Sequence, residues 1–265
     1  MDTTARLFFQ GSTACGVVGL TLARPADAEG AATGVEQVLQ LAQAEALIRA
    51  VEQWLRSDWD PVPCGDCDEA VPNANSYQAT VRDPALAPPG TILHVPLAAL
   101  LAPPEPLRAP ALTWAAQAAD LTLGNVPLPA LDQLQPGAVL LLPQAFGPEW
   151  RVSLRDPAGR LPACSARLDL TAQRLEVATG AAAGAPPNGL DDDALPLVRL
   201  VQRVLVPLDH WLGFGRADAP FHWPVPQPWA AQLCHAGIVR GHGALLPMGQ
   251  GYGMLLEAVQ ASAAA

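Results

Sequence analysis

The second half of the chain is a series of short apolar runs separated by Gly and Pro, and this pattern constrains the fold more than any other feature. A run such as 138–142 is bounded by a Pro-Gly turn and by proline, so it has the length of a strand rather than of a helix. Short strands with frequent turn residues are typical of a small β-rich domain. We therefore predict such a domain over residues 111–179. Its strands are predicted at 114–123, 138–142, 150–154, 165–170 and 173–178.

A second β-rich segment is predicted over 197–260, and it ends in a hairpin of 238–247 and 252–259 around a glycine-rich turn. Between the two segments, 180–196 is predicted to be a linker. Residues 180–193 consist mainly of Ala, Gly and Pro with three Asp, a composition that cannot build a core. We expect limited proteolysis to cut there first and to leave two fragments that remain associated.

The first 110 residues differ from the rest because they contain a long amphipathic pattern. Apolar residues recur at 35–56 with a period near 3.6, which predicts a helix that ends before Pro61. Predicted strands surround it, with Gly11-Ser12 as the turn between the first two. These strands are placed at 5–9, 17–22, 76–82 and 91–97, and a proline-rich connector at 98–110. The predicted fold class is thus α+β: an N-terminal α+β domain over 1–110, followed by two small β-rich units.

Charge and the length of the apolar stretches each exclude one class of partner. All 15 basic residues are Arg, and the formal net charge is −10. Affinity for nucleic acid comes from clustered cations, and none is present, so we predict no nucleic-acid partner. No apolar stretch reaches the roughly 18 residues needed to cross a bilayer, and no secretory leader is recognisable at the N-terminus. The sequence therefore predicts a cytoplasmic protein without membrane insertion.

No motif in the chain predicts catalysis or a cofactor. Cys64 and Cys67 have the spacing of a zinc or redox pair, but a structural zinc site needs two further ligands and no second pair exists. A phosphate-binding loop requires a lysine that the chain lacks. We therefore predict no enzyme activity, no cofactor and no stoichiometric metal. One zinc per chain, lost when both cysteines are replaced by Ser, would contradict this prediction.

Aromatic residues are dense over residues 211–229 of the second segment. They can form part of the core or can form an interface, where Trp is enriched, and the sequence leaves both interpretations open. The group consists of Trp211, Phe214, Phe221, Trp223 and Trp229.

The run from Leu121-Thr-Leu-Gly124 through Leu134-Gln-Pro-Gly137 to Leu142 resembles the opening of a SpoA domain. Residues 150–154 and 168–177 resemble the remaining strands of that domain. A second, degenerate copy is similar over 204–213 and 237–256, where its end resembles the flagellar switch protein FliN. Between Gly213 and Gly237 this copy replaces both the usual Leu-rich element and the Leu-x-x-Gly strand with the shorter aromatic segment 221–229. Two SpoA-like units after an N-terminal domain resemble the C-ring or sorting-platform family of type III secretion systems (SctQ/HrcQ/YscQ).

The resemblance implies a non-enzymatic scaffold subunit that links the export ATPase stator and chaperone–effector complexes to the secretion apparatus. It also implies a ring-adaptor partner, self-association and, in the split form of the family, a separate small SpoA protein. SpoA domains of this family pair as intertwined dimers, so the two units are expected to share a core in which Asp at Leu141 or Leu255 would be a buried charge. The predicted interface residues are Leu140, Leu141, Leu142, Trp211, Phe214, Trp223, Trp229 and Leu255. The alternatives are a flagellar motor switch component (FliM/FliN-like) and an enzyme of unfamiliar β-rich fold.

Overall fold

A computed structural model describes the backbone of ten stretches of the chain, and the side chains of all these residues except 222 and 223. The stretches are 6–24, 32–64, 76–101, 111–126, 134–142, 150–169, 171–177, 195–214, 221–224 and 229–260. The predicted linker at 180–193, and most of the predicted connector at 98–110, lie outside them. The chain forms two compact units, Met1–Ala115 and Ala116–Ala265, which we call unit 1 and unit 2. The chain is mostly β, with two antiparallel sheets.

Unit 1 is a six-stranded antiparallel sheet accompanied by helices, so the predicted α+β character is confirmed at this level. The strand order is β3-β1-β2-β5-β4-β6. Its core contains Phe9, Leu20, Leu47, Val51 and Leu93, all of them buried. The elements are β1 (Arg6–Thr13), β2 (Gly16–Ala23), α1 (Gly34–Gln43), α2 (Glu45–Leu55), β3 (Val62–Pro63), β4 (Ser76–Val81), β5 (Ile92–Pro96), α3 (Leu97–Leu101) and β6 (Leu112–Trp114).

The predicted turn at Gly11-Ser12 is wrong, because both residues lie within β1 and the chain reverses at residues 14–15. Gly11 serves packing instead. A Cβ at this position would lie 2.7 Å from Cδ1 of Trp59, which is buried. The glycine thus admits the indole against the strand, a requirement that the local sequence does not reveal.

The predicted helix over 35–56 is confirmed in type but is divided in two at Ala44. The amide of Leu47 donates to the carbonyl of Leu86 at 3.1 Å, a tertiary bond to a distant loop. Arg56, at φ 49°, ends α2 in the left-handed conformation. An amphipathic helix normally buries its apolar stripe, but in α1 Val38 is exposed whereas Gln40 is buried.

A buried histidine makes the stability of unit 1 dependent on pH. His94 is hydrogen bonded through Nε2 to Oγ1 of Thr21 at 2.8 Å. Burial, and secondarily the charge of Arg6, lowers its pKa from 6.5 to about 4. His94 therefore binds a proton more tightly in the unfolded chain than in the folded one. The stability that comes from keeping His94 neutral is complete above pH 6.5 and is lost as the pH falls toward 4.

We expect the free energy of unfolding of the wild type to fall by about 3 kcal/mol more than that of His94→Gln between pH 7 and pH 4. Urea unfolding of both proteins at several pH values measures the difference, and comparing the two cancels the titration of the carboxylates. Equal losses in the two proteins would contradict the assignment.

Unit 2 is one antiparallel sheet to which both predicted β-rich segments contribute strands. The strand order is β14-β11-β10-β9-β7-β12-β15-β16-β17-β8, and β13 pairs with the first residues of β7. The elements are β7 (Ala116–Asn125), β8 (Val139–Leu141), β9 (Trp150–Arg155), β10 (Cys164–Asp169), β11 (Arg174–Val177), β12 (Leu197–Leu200), β13 (Val204–Pro207), α4 (Leu208–Trp211), β14 (His222–Pro224), β15 (Ala230–His235), β16 (Ile238–Met248) and β17 (Gly251–Val259).

The order of this sheet is mirrored about its centre, where β7 of the first segment pairs with β12 of the second. Outward from β7 lie β9, β10 and β11, and outward from β12 lie β15, β16 and β17. One strand of each segment, however, has crossed to the other side: β8 pairs with β17, and β14 pairs with β11. Each segment therefore completes the outer end of the other.

Most predicted strands of unit 2 are confirmed, including the hairpin of β16 and β17. The strand predicted at 114–123 is confirmed over 116–123, but its predicted start is wrong. Leu112 and Trp114 belong to β6, which pairs with β4 in the sheet of unit 1, and β7 begins only at Ala116. The reason is that both side chains are buried in the first core, and no local signal marks the change of sheet.

A glycine holds the irregular pairing of β16 with β17, where the register shifts between His242 and Gly243. A Cβ at Gly243 would overlap the backbone carbonyl oxygen of Leu255, which cannot move without breaking the sheet. We expect Gly243→Ala to destabilise unit 2 by about 2–3 kcal/mol in urea unfolding. Gly34→Ala is the control, because nothing lies within 4 Å of a Cβ there, and it should change stability by less than about 1 kcal/mol. Equal effects of the two variants would contradict this account.

Candidate interaction surface

The exchanged strand β8 brings the predicted interface leucines against the closing strand of the chain. In the β8–β17 register, Leu140 lies opposite Met254 and Leu141 opposite Gly253. Leu140, Leu142 and Met254 are all buried. Leu140 thus has a buried neighbour in the second segment, Met254.

The turn before β8 depends on a glycine, Gly137. Gly137, at φ 88°, reverses the chain after Pro136, and nothing lies within 4 Å of a Cβ built there, so the glycine is required by conformation alone. Its amide then donates to the carbonyl of Leu256 at 2.7 Å, while the amide of Leu256 donates to the carbonyl of Ala138 at 2.8 Å. These bonds extend the exchanged pairing beyond the three residues of β8.

The opposite face of the same strands is apolar although it is exposed. Directly opposed residues of antiparallel strands share a face, so Leu141, Gly253 and Leu246 form one row, and Val139, Leu255 and Ala244 the next. Leu141 is 52% exposed, Val139 40% and Leu246 38%, while Leu255 and Ala244 are half-buried. We call these side chains the outer patch: Val139, Leu141, Ala244, Leu246 and Leu255.

The expectation that Asp at Leu141 would be a buried charge is wrong for the chain alone, because this side chain is exposed. The period of a strand is two residues, so Leu140 and Leu141 must point to opposite faces. A run of five consecutive apolar residues conceals which of them face inward. Leu255 also lies in the outer patch, but its side chain is half-buried, so an Asp there would be only partly buried.

The outer patch continues to an open edge of the sheet. Within the described residues β8 pairs with β17 alone, so its other side presents backbone groups to no strand. Unpaired strand edges are templates for association with another chain. An apolar face beside such an edge is the usual composition of a protein–protein interface rather than of a catalytic cleft.

Aromatic side chains line the inner side of this end of the sheet. The ring of Tyr252 stacks on Trp150 at 5.5 Å between centroids and contacts Trp229 edge-on at 6.0 Å. Tyr252 comes from β17 and Trp150 from β9, so the cluster also joins the two segments. Tyr252 is absent from the predicted interface residues, although an aromatic residue between two glycines in the predicted hairpin was a signal in the sequence.

The predicted aromatic group is only partly brought together. Trp211 belongs to the core, where its Nε1 donates to the carbonyl of Pro162 at 2.7 Å, and Phe214 is half-buried. Trp229 lies in the aromatic cluster just described. The backbone of Trp223 lies in β14 opposite Leu175. The core interpretation thus holds for Trp211.

A polar network crosses the centre of the sheet between the segments. Asp120 of β7 accepts from Arg199 at 3.4 Å and from Arg203 at 3.0 Å, and Arg199 also donates to Gln232 at 3.1 Å. The groups are partly exposed, so each pair contributes little stability. A cleft of about 160 Å³ adjoins them. Two of the residues that line it, Asp120 of β7 and Arg199 of β12, are bonded to each other, which favours a role in joining the segments.

The two buried thiols are poor nucleophiles. Burial raises the pKa of Cys164 to about 12, and burial is also the main cause that raises the pKa of Cys234. A thiol with a raised pKa stays protonated at neutral pH and is unreactive. No group of three or more His, Cys, Asp or Glu in the described stretches could hold a metal ion. Cys67 lies outside those stretches, so the prediction about the cysteine pair stays a prediction.

In the part of the chain that the structure describes, no helix is both long enough and apolar enough to span a membrane. No family model matches the chain. No curated protein matches it either.

Proposed function

We propose that this protein is a non-enzymatic scaffold subunit of the cytoplasmic C-ring or sorting platform of a type III secretion system. The observation that carries the proposal is the mirrored sheet of unit 2, in which β8 and β14 are exchanged between the two segments. Such an exchange is what the SpoA resemblance implies for two paired units. The short segment that replaces the Leu-rich element of the second copy still supplies its strand, β14, in the position equivalent to β8.

A scaffold role also agrees with the surface of unit 2. Its conspicuous exposed feature is the outer patch, which is apolar and adjoins an edge of β8 that pairs with no other strand among the described residues. The proposed partners of the protein are the ATPase stator, the ring adaptor, chaperone–effector complexes and further copies of the chain. The exchanged core supplies rigidity, and the outer patch supplies contact area.

The proposal is tested in the source bacterium with a fluorescently tagged chain at its native locus. We expect envelope-associated foci that depend on the secretion ring, and loss of effector secretion when the locus is deleted. Diffuse fluorescence with normal secretion would contradict the proposal, and loss of motility with normal secretion would instead indicate the flagellar alternative.

A matched pair of variants tests the outer patch in the same strain. Leu141→Asp places a charge in the patch, whereas Ile238→Asp places one at another exposed apolar site, 53% exposed, on β16. We expect Leu141→Asp to reduce the foci at least fivefold and Ile238→Asp to leave them unchanged, since charge in the centre of an apolar interface opposes association. Equal behaviour of the two variants would exclude the patch as the assembly surface.

A further inference from the structure

Helix α1 of unit 1 has its polar and apolar faces reversed relative to an ordinary surface helix. An amphipathic helix normally buries its apolar stripe and exposes its polar side. In α1, Gln40 is the buried residue, while Val35 is 72% exposed and Val38 67%. Apolar residues exposed singly need no explanation, but a contiguous stripe marks a surface that another molecule covers.

The inward face of α1 is held by polar contacts that fix this orientation. Glu36 accepts two bonds from the guanidinium of Arg24, at 2.7 Å from Nε and 3.0 Å from Nη2. Arg24 is only 8% exposed, so rotation of the helix would leave a buried cation without this partner. The side chain of Thr33 caps the first turn by accepting from the amide of Glu36 at 3.2 Å.

The outward face has the spacing of a helix-pairing seam, which we call the α1 seam. Residues at i, i+3, i+4 and i+7 lie along one side of a helix, and this is the arrangement that inserts into a partner helix. Leu39 is 60% exposed and Ala42 is also exposed. The α1 seam consists of Val35, Val38, Leu39 and Ala42.

Charge distinguishes among the molecules that could cover the seam. Residues 1–115 carry six Arg against thirteen Asp and Glu, a net charge of −7, and α1 contains no basic residue. Two copies of the chain, or an anionic membrane surface, would be repelled. A helix whose apolar stripe is bordered by cations would be attracted by the net negative charge of residues 1–115.

We propose that the α1 seam binds an amphipathic helix of a partner protein whose apolar stripe is bordered by Lys or Arg. The seam rises about 10 Å from Val35 to Ala42, enough for two turns of the partner. Contact of this size gives weak, reversible binding that depends on salt. The inference concerns unit 1 alone and stands independently of the function proposed for unit 2.

The test uses the full chain and two synthetic helical peptides of three heptads with the same Ile/Leu stripe. One peptide has Lys at every flanking position and the other has Glu, and fluorescence anisotropy measures binding at low and at high salt. We expect the Lys peptide to bind at least tenfold more tightly than the Glu peptide, with the difference shrinking at high salt. The double variant V38S/L39S should lose at least tenfold in affinity for the Lys peptide. The control Leu205→Ser, at a residue 59% exposed on β13 of unit 2, should bind as the wild type does.

Three results would overturn the inference: no binding of the Lys peptide, equal binding of both peptides, or binding that survives V38S/L39S. Sedimentation of the protein without peptide tests whether a second copy of the chain covers the seam instead. A dimer that dissociates in V38S/L39S would show that a second copy covers the seam, and the inference would again fail. The circular dichroism spectrum and melting temperature of V38S/L39S should equal those of the wild type. The loss of affinity for the Lys peptide then arises at the seam and not from unfolding.

Discussion

Leu140→Asp will unfold unit 2, whereas the same substitution at the next residue, Leu141, will leave it folded. Leu140 is 5% exposed and lies opposite Met254, which is fully buried. An aspartate there must either lose its hydration or take up a proton, and the leucine contacts are lost as well. We expect a loss of about 3–5 kcal/mol, a large part of the 5–15 kcal/mol that stabilises a typical domain.

The adjacent residue is the matched control, because it has the same side chain in the same strand on the opposite face. Leu141 is 52% exposed, so its substitution should change stability by no more than about 0.5 kcal/mol. Urea unfolding followed by circular dichroism measures both variants. Similar losses at the two positions would mean that β8 does not alternate as described, and the register with β17 would be wrong.

The strand positions could be predicted from the sequence because turns and short apolar runs are local signals. The turn at Pro136-Gly137 and the hairpin of β16 and β17 are examples. Which face of each strand is buried could not be predicted. Which side of β8 is buried is decided by its register against β17, more than a hundred residues further along the chain.

The same limit applies to α1 and to Gly11. Periodicity locates the apolar stripe of α1, but the ion pair of buried Arg24 with half-buried Glu36 favours the orientation in which the stripe points outward. Gly11 resembles a turn residue, yet its role is to admit Trp59. In each case a contact between residues distant in sequence overrides a local preference.

Neither segment of unit 2 should fold without the other, and this is the second large effect that we expect. Alone, residues 111–179 would retain β7, β9, β10 and β11 but leave β8 without β17, the strand with which it pairs. They would also expose the side of β7 that pairs with β12 and β13. Such a segment has unpaired edges and an uncovered core, so we expect it to be insoluble when expressed alone. Co-expression with residues 195–260 should restore a soluble, folded pair, and a soluble, folded 111–179 alone would contradict this.

The most direct test of the exchanged sheet is to cut the chain between the segments and to ask whether they stay together. A protease site inserted between residues 186 and 187 allows complete cleavage of the purified protein, followed by size-exclusion chromatography with light scattering. The account predicts that the two pieces elute as one species with the mass of the intact chain and separate only in denaturant. Two pieces that elute apart in native buffer, each with a well-dispersed NMR spectrum, would contradict it.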